Sequence, residues 1–232
     1  MTTACHLSRL LFLVSGWLIA AGVTASALGG GAAVGAEPTW MTVNEGDKIV
    51  IIGNTLAERL QHDGYFETAL QSRFPGKRLV VRNLGWSADE IDLRPRSANF
   101  DDHGHRLVDH QPAIVLAMFG LNESFAGPAG LESFRGRFEK FIADTRGQLA
   151  PSAQLVICSP IPHENLKRPE LPDGQATNAN LRQYIEVMRA ASEAAGLRFV
   201  DLFTPMLAAM ENSSRPLTIN GIHLNRRGNE VL

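Results

Sequence analysis

Five short apolar runs constrain the fold of this chain more than any other feature of its sequence. They cover residues 48–52, 78–82, 113–119, 154–158 and 197–202. Each is rich in Val, Ile and Leu, and none alternates between apolar and polar residues as a half-exposed strand does. Continuous apolar runs of this length are typical of strands buried on both faces. We therefore expect a parallel sheet of five strands.

Helical patterns separate these runs. Apolar residues recur at helical spacing over residues 56–70, with a break near Gly64, over 131–149 and over 178–195. Alternation of strands and helices requires right-handed crossovers that cover both faces of a sheet. The sequence thus predicts an α/β protein with a three-layer α/β/α sandwich. Two long loops, 87–110 and 159–177, are candidates for function.

The first 36 residues have the pattern of a secretory signal peptide. Arg9 is the only charged residue before Glu37, an apolar core spans residues 10–21, and small residues follow it. We expect cleavage to leave a domain of residues 37–232 that is secreted or periplasmic and has no membrane span. An uncleaved membrane anchor stays open as the alternative, because the uncharged stretch approaches the ~20 residues that cross a bilayer.

Charge and composition exclude several classes of function. The chain has 22 Lys and Arg against 24 Asp and Glu, a formal net charge of -2. A nucleic-acid-binding protein needs a basic surface, so we expect no nucleic-acid partner. With 44% hydrophobic and 20% charged residues, the composition is that of a globular protein rather than a disordered chain.

Polar segments follow the predicted strands where an open parallel sheet binds its ligands, at the carboxyl ends of the strands. They are Gly-Asn-Thr-Leu at 53–56, Asn-Leu-Gly-Trp-Ser at 83–87 and Gly-Leu-Asn-Glu at 120–123, and a fourth polar segment, Asn-Gly-Ile-His-Leu-Asn at 220–225, lies near the C-terminus. In order and position these four segments resemble the sequence blocks of the SGNH hydrolases, the GDSL-type esterases and lipases. The resemblance implies a flavodoxin-like SGNH hydrolase fold and hydrolysis of small acyl esters, including acetyl esters of carbohydrates. It also implies that no metal or organic cofactor is needed.

The resemblance assigns a role to one residue of each block. Thr55 stands at the position of the nucleophilic Ser, and His223 at that of the base. Asn220 replaces the Asp that orients the base, while the Gly85 N–H and the Asn122 amide correspond to the donors of the oxyanion hole. Three of these five residues keep the identity that the family has: Gly85, Asn122 and His223.

The departures from the family pattern leave alternatives open. A Thr hydroxyl is a competent nucleophile, but Thr55 is also suited to cap the helix that follows. Asn220 brings no charge, and an Asp-to-Asn exchange at this position lowers turnover of a serine protease by ~10⁴. Another carboxylate, Asp89 or Glu123, could assist His223 instead. A second hypothesis is therefore a binding module for glycan or acyl ligands that has lost efficient turnover.

Two further groups of histidines call for an interpretation. Asp101, Asp102, His103 and His105, with His110 nearby, could form a metal site. A solvated or substrate-facing loop is the interpretation we favour, since no fourth ligand is evident. His163, in the second long loop, is expected to be a structural residue near the rim of the cleft.

Overall fold

In the part of the chain that the structure describes, residues 41–95 and 106–232, five parallel strands form one sheet. The structure is a computed structural model. The strands are β1 (Lys48–Gly53), β2 (Val80–Asn83), β3 (Ile114–Met118), β4 (Gln154–Cys158) and β5 (Arg198–Val200). Their order is β2-β1-β3-β4-β5, and each neighbouring pair is parallel. The five predicted strands are thus confirmed, and strand order reverses at β1, where such sheets bind ligands.

Helices connect the strands in the predicted alternation. They are α1 (Thr55–Asp63), α2 (Tyr65–Arg73), α3 (Leu107–His110), α4 (Leu131–Gly147), α5 (Gln175–Ala194), α6 (Phe203–Asn212) and α7 (Arg226–Val231). The predicted break near Gly64 separates α1 from α2, and Gly64 adopts a left-handed φ of 69° that glycine tolerates without strain. Helix α6 was not expected from the sequence. Its buried residues are Phe203, Met206 and Met210.

The largest apolar core lies between one face of the sheet and the helices α4 and α5. Val50 and Ile52 of β1 belong to the same buried cluster as the aromatic face of α4 and the inner face of α5. The members from the two helices are Phe134, Phe138, Phe141, Ile142, Tyr184, Val187, Met188 and Ala191. This packing confirms the α/β sandwich, and it leaves the carboxyl ends of the strands to the loops.

Two predictions of the sequence lie outside the described residues. They are the signal peptide of residues 1–36 and the Asp101–His105 part of the candidate metal site. None of the helices in the described ranges combines the length and apolar character that crossing a bilayer requires. Within the same ranges, no group of three His, Cys, Asp or Glu side chains is arranged to hold a metal ion.

Candidate active site

Thr55 is the first residue of α1, immediately beyond the carboxyl end of β1. The preceding residue, Asn54, is the N-cap of this helix, because its Oδ1 accepts a hydrogen bond of 3.1 Å from the Leu56 N–H. The Asn54 N–H in turn donates to the Met118 carbonyl oxygen at 3.1 Å. The interpretation of Thr55 as the helix cap is therefore wrong. Among the contacts of the described residues, the Thr55 hydroxyl makes no hydrogen bond, so it is available to a ligand.

Thr55 and His223 line the same small cavity at the carboxyl edge of the sheet. Its volume is about 10 Å³, roughly the space that one water molecule needs. Asn54 also lines it, and the remaining walls are apolar: Leu56, Met118, Phe119, Leu121, Pro160, Ile161 and Ile222. Folding therefore brings Thr55 and His223, 168 positions apart in the sequence, to one cavity.

Asn220 presents a hydrogen-bond donor to the His223 ring, where a carboxylate would present an acceptor. Its Oδ1 accepts hydrogen bonds from the backbone N–H groups of His223 (3.1 Å) and Ile222 (3.4 Å). These bonds orient the amide so that Nδ2 faces His223 Nδ1 at 3.1 Å. Because Nδ2 donates, Nδ1 must accept, and the proton of the neutral ring is then on Nε2. A general base acting through Nε2 needs the other tautomer.

The surroundings of His223 keep its ring neutral. Burial lowers its pKa below the usual 6.5, the nearby Arg59 guanidinium lowers the pKa further, and Glu58 partly opposes both. Arg59 is held beside this loop by a hydrogen bond of 3.2 Å from its Nε to the Leu224 carbonyl oxygen. Glu58 and Arg59 were not predicted as site residues. Their positions three and four residues after Thr55, on the same helix, were the available signal.

Glu123 ties together two loops of the site rather than orienting the base. Its carboxylate is buried and accepts hydrogen bonds of 2.9 Å from the N–H groups of Ile91 and Gly120. Burial raises the pKa of Glu123 to about 6, although these hydrogen bonds oppose the increase. The side-chain partner of His223 is Asn220, so the alternative that Glu123 or Asp89 orients His223 finds no support in the geometry.

The two expected oxyanion-hole donors differ in their availability. Asn122 Nδ2 donates one hydrogen to the Asp89 carbonyl oxygen at 3.2 Å and keeps a second. The Gly85 N–H donates to Asn83 Oδ1 at 2.8 Å, which leaves it no hydrogen for a substrate oxygen. A Cβ at Gly85 would lie 2.6 Å from Ala57 Cβ, so glycine here permits close packing against α1. Neither Asn122 nor Gly85 belongs to the walls of the cavity described above.

Ala88 is a further backbone feature that sequence reasoning missed. It has a φ of 68°, a left-handed conformation that is uncommon for a residue with a Cβ. Strain of this kind is concentrated at functional sites. Among the hydrogen bonds of the described residues, none uses the Ala88 N–H. Alanine has no preference for such a conformation, and the sequence therefore gave no signal.

Comparison with protein families gives a match over almost the whole chain. The model of the GDSL-like Lipase/Acylhydrolase family matches residues 19–231. No curated protein sequence matches the chain significantly.

Solved structures of several enzymes have the same fold. LAE5, an alpha/beta hydrolase enzyme from the metagenome of Lake Arreo in Spain, is 20% identical with a TM-score of 0.63, and the match covers 83% of this chain and 93% of LAE5. Axe2, an acetylxylan esterase from Geobacillus stearothermophilus, is 18% identical with a TM-score of 0.62, over 82% and 92% of the two chains. BT4096, a gut microbial diltiazem-metabolizing enzyme, is 21% identical with a TM-score of 0.61, over 80% of this chain and 45% of that one.

Proposed function

The chain belongs to the GDSL-like lipase/acylhydrolase family, a family of ester-acting hydrolases, and we propose that it hydrolyses small acyl esters with Thr55 as nucleophile and His223 as base. The observation that carries this proposal is that both residues line one cavity. The apolar walls of this cavity suit the methyl group of a small acyl ester, and we propose acetyl. Acetyl esters of carbohydrates are the substrates we put forward first, since the similar Axe2 is an acetylxylan esterase.

In the proposed reaction the Thr55 hydroxyl attacks the ester carbonyl carbon while His223 Nε2 takes its proton. The proton then passes to the leaving alcohol, and water hydrolyses the acyl-threonine ester by the same steps. Asn122 Nδ2 is the candidate donor to the oxyanion. No metal or organic cofactor takes part in this scheme.

Asn220 limits the rate of this reaction. For Nε2 to carry a lone pair, the ring proton must be on Nδ1, and a partner that accepts must face it. The Asn220 amide can accept only if it rotates, and rotation breaks the hydrogen bonds from His223 and Ile222 to its Oδ1. The base-competent arrangement is therefore a minor state, and we expect slow turnover.

Hydrolysis of p-nitrophenyl acetate by the purified chain tests the proposal. We expect a slow, saturable rate that Thr55→Ala and His223→Ala each reduce to the background rate. Thr68→Ala, a change of the same kind on an exposed face of α2, is the matched control. A rate that survives both site substitutions would show that the reaction occurs elsewhere.

A binding module is the second candidate function, and the Asn220–His223 contact favours it. With its proton on Nε2, His223 is a hydrogen-bond donor, suited to hold the oxygen of an acyl or glycan ligand without turning it over. In this case acetate or an acetylated xylo-oligosaccharide would perturb the His223 ring resonances in NMR spectra, and no substitution would change ester hydrolysis.

We propose export of the protein as well, on the basis of the pattern in residues 1–36. Expression of the full chain with its own amino terminus, followed by amino-terminal sequencing, tests this. A mature protein that begins near residue 37 is the expected result. An intact amino terminus in the membrane fraction would favour the anchor.

A further inference from the structure

Glu164 lies buried beneath the loop of residues 217–224, which carries Asn220 and His223. Its carboxylate accepts hydrogen bonds from the N–H groups of Leu217 (3.0 Å) and Thr218 (2.7 Å) and from the Thr218 hydroxyl (2.6 Å). Among the described residues, no ion pair includes Glu164. The Glu164 carboxylate therefore receives its side-chain hydrogen bonds from Leu217 and Thr218 of this one loop. Hydrogen bonds to a charged acceptor are stronger than neutral ones.

The same carboxylate reaches the far side of Asn220 through Thr218. The Thr218 hydroxyl donates to Glu164 and accepts from the Gly221 N–H at 3.0 Å. The Gly221 carbonyl oxygen accepts from the Glu164 N–H at 2.8 Å. Glu164 therefore holds the chain on both sides of Asn220, at Thr218 and at Gly221.

Helix α5 fixes the position of Glu164. The Asn178 side chain pairs with both backbone groups of His163, accepting from its N–H at 2.8 Å and donating to its carbonyl oxygen at 2.9 Å. The His163 ring is buried against Gly221, where a Cβ would lie 2.4 Å from His163 Nε2. His163 is thus a structural residue, as expected, and it joins α5 to the His223 loop.

We propose that Glu164 is a positioning residue that holds Asn220 in contact with the His223 ring. Asn220 and His223 belong to an irregular loop, and their contact at 3.1 Å depends on the backbone path between Thr218 and Gly221. The importance of this contact for a reaction rests on the proposed function. The contact itself has a readout that needs no activity, because it fixes which ring nitrogen of His223 carries the proton.

The test is the tautomer of His223 in the full chain, measured by ¹⁵N NMR of the imidazole nitrogens and assigned with His223→Gln. In the native chain we expect the proton on Nε2 and a hydrogen-bonded, unprotonated Nδ1. In Glu164→Gln the ¹⁵N shifts of His223 should move toward those of an unconstrained histidine, and its pKa should rise toward the usual ~6.5. Glu170→Gln makes the same change at an exposed position of the 159–177 loop, which carries Glu164. It should alter neither the ¹⁵N shifts nor the pKa of His223.

Thr218 provides a milder pair of variants in case Glu164→Gln folds poorly. Thr218→Val removes the hydroxyl that joins Glu164 to Gly221 but keeps the shape, and it should shift the tautomer in the same direction. Thr218→Ser keeps this hydroxyl and should give the native spectrum. Native-like His223 resonances in folded Glu164→Gln or in Thr218→Val would overturn the proposal. If these variants shift the tautomer while no form of the protein hydrolyses an ester, the positioning role stands and the proposed hydrolase function fails.

Discussion

The two sides of the candidate site are built differently. On the side of the nucleophile, Thr55 lies in the turn between β1 and α1, where Asn54 bonds to the backbone of β3 and caps the helix. On the side of the base, Asn220 and His223 lie in an irregular loop, held from below by Glu164. The first side lies between a strand and a helix. The second side is held by the side-chain hydrogen bonds of Glu164 and Asn220, together with two backbone hydrogen bonds that close the loop, from the Ile219 N–H to the His223 carbonyl oxygen (2.8 Å) and from the Asn225 N–H to the Leu217 carbonyl oxygen (3.0 Å).

This difference explains why the two departures from the family pattern have unequal consequences. Thr55 keeps a hydroxyl at the start of a rigid helix, so the change from Ser adds one methyl group and leaves the chemistry possible. Asn220 replaces an acceptor by a donor toward His223, and this reverses the tautomer of the ring. The base side is therefore where we expect the greater loss of activity.

Asn220→Asp should have the largest effect on activity. A carboxylate can keep the backbone hydrogen bonds to one oxygen and accept from His223 Nδ1 with the other, which places a lone pair on Nε2. We expect kcat/KM for p-nitrophenyl acetate to rise by up to ~10⁴-fold, the factor that the reverse exchange costs a serine protease. Asn212→Asp, on the exposed end of α6, adds the same charge elsewhere and should leave the rate unchanged.

The pH dependence sharpens the same prediction. Burial and Arg59 lower the pKa of His223 in the native chain, whereas a neighbouring carboxylate stabilises the charged ring and raises it. A base works only when it is deprotonated, so the acidic limb of the pH–rate profile should move to higher pH in Asn220→Asp. An unchanged profile together with an unchanged rate would show that His223 is not the base.

Most of the fold could be predicted from the sequence, because buried strands and amphipathic helices leave periodic patterns. The residues around the site were predicted where a motif follows a strand end, as at Thr55, and His223 was predicted from its resemblance to a sequence block of the family. Glu164 was missed for a physical reason. It is 53 positions from Leu217, and no local periodicity indicates which irregular backbone a distant carboxylate will bind. Asn54 was missed as a cap because both it and Thr55 are good caps.

Gly85→Ala tests the rigidity of the nucleophile side. The added Cβ would lie 2.6 Å from Ala57 Cβ and 2.7 Å from the Glu58 nitrogen, both on α1. Overpacking of this kind costs about 1–3 kcal/mol of the free energy of unfolding, measured by urea denaturation. Gly136→Ala on α4, where no atom lies within 4 Å of the new Cβ, should instead stabilise the protein by about 0.5–1 kcal/mol. Equal effects at the two positions would contradict the packing argument.

A third part of the site, the loops after β2 and β3, is joined by the buried carboxylate of Glu123. Its pKa is raised to about 6 from its ordinary value of 4.5, so the native state binds its proton more tightly than the unfolded state does. This contribution to stability is therefore gained as pH falls through 6 and is lost as pH rises.

Glu123→Gln removes this titration. Between pH 7 and pH 4.5, the free energy of unfolding of the native chain should increase relative to that of the variant by about 2 kcal/mol. Urea denaturation at several pH values measures this difference. Glu139→Gln, an exposed change on α4, should show no such trend. A difference that is constant with pH would mean that the Glu123 carboxylate titrates normally.

Thr55→Ser should have the smallest effect, because it alters only the methyl group on the nucleophile side. Removing the β-branch frees the side-chain torsion, and we expect kcat to rise on the order of tenfold, equivalent to about 1.4 kcal/mol in the barrier. Thr68→Ser on α2 is the control. The double variant with Asn220→Asp then decides whether the two sides act together: changes that are independent multiply, whereas two partners in one proton transfer do not. If the gain from Thr55→Ser is the same with Asn and with Asp at position 220, the two changes act independently. No gain in either background would show that the Thr55 methyl group does not limit the reaction.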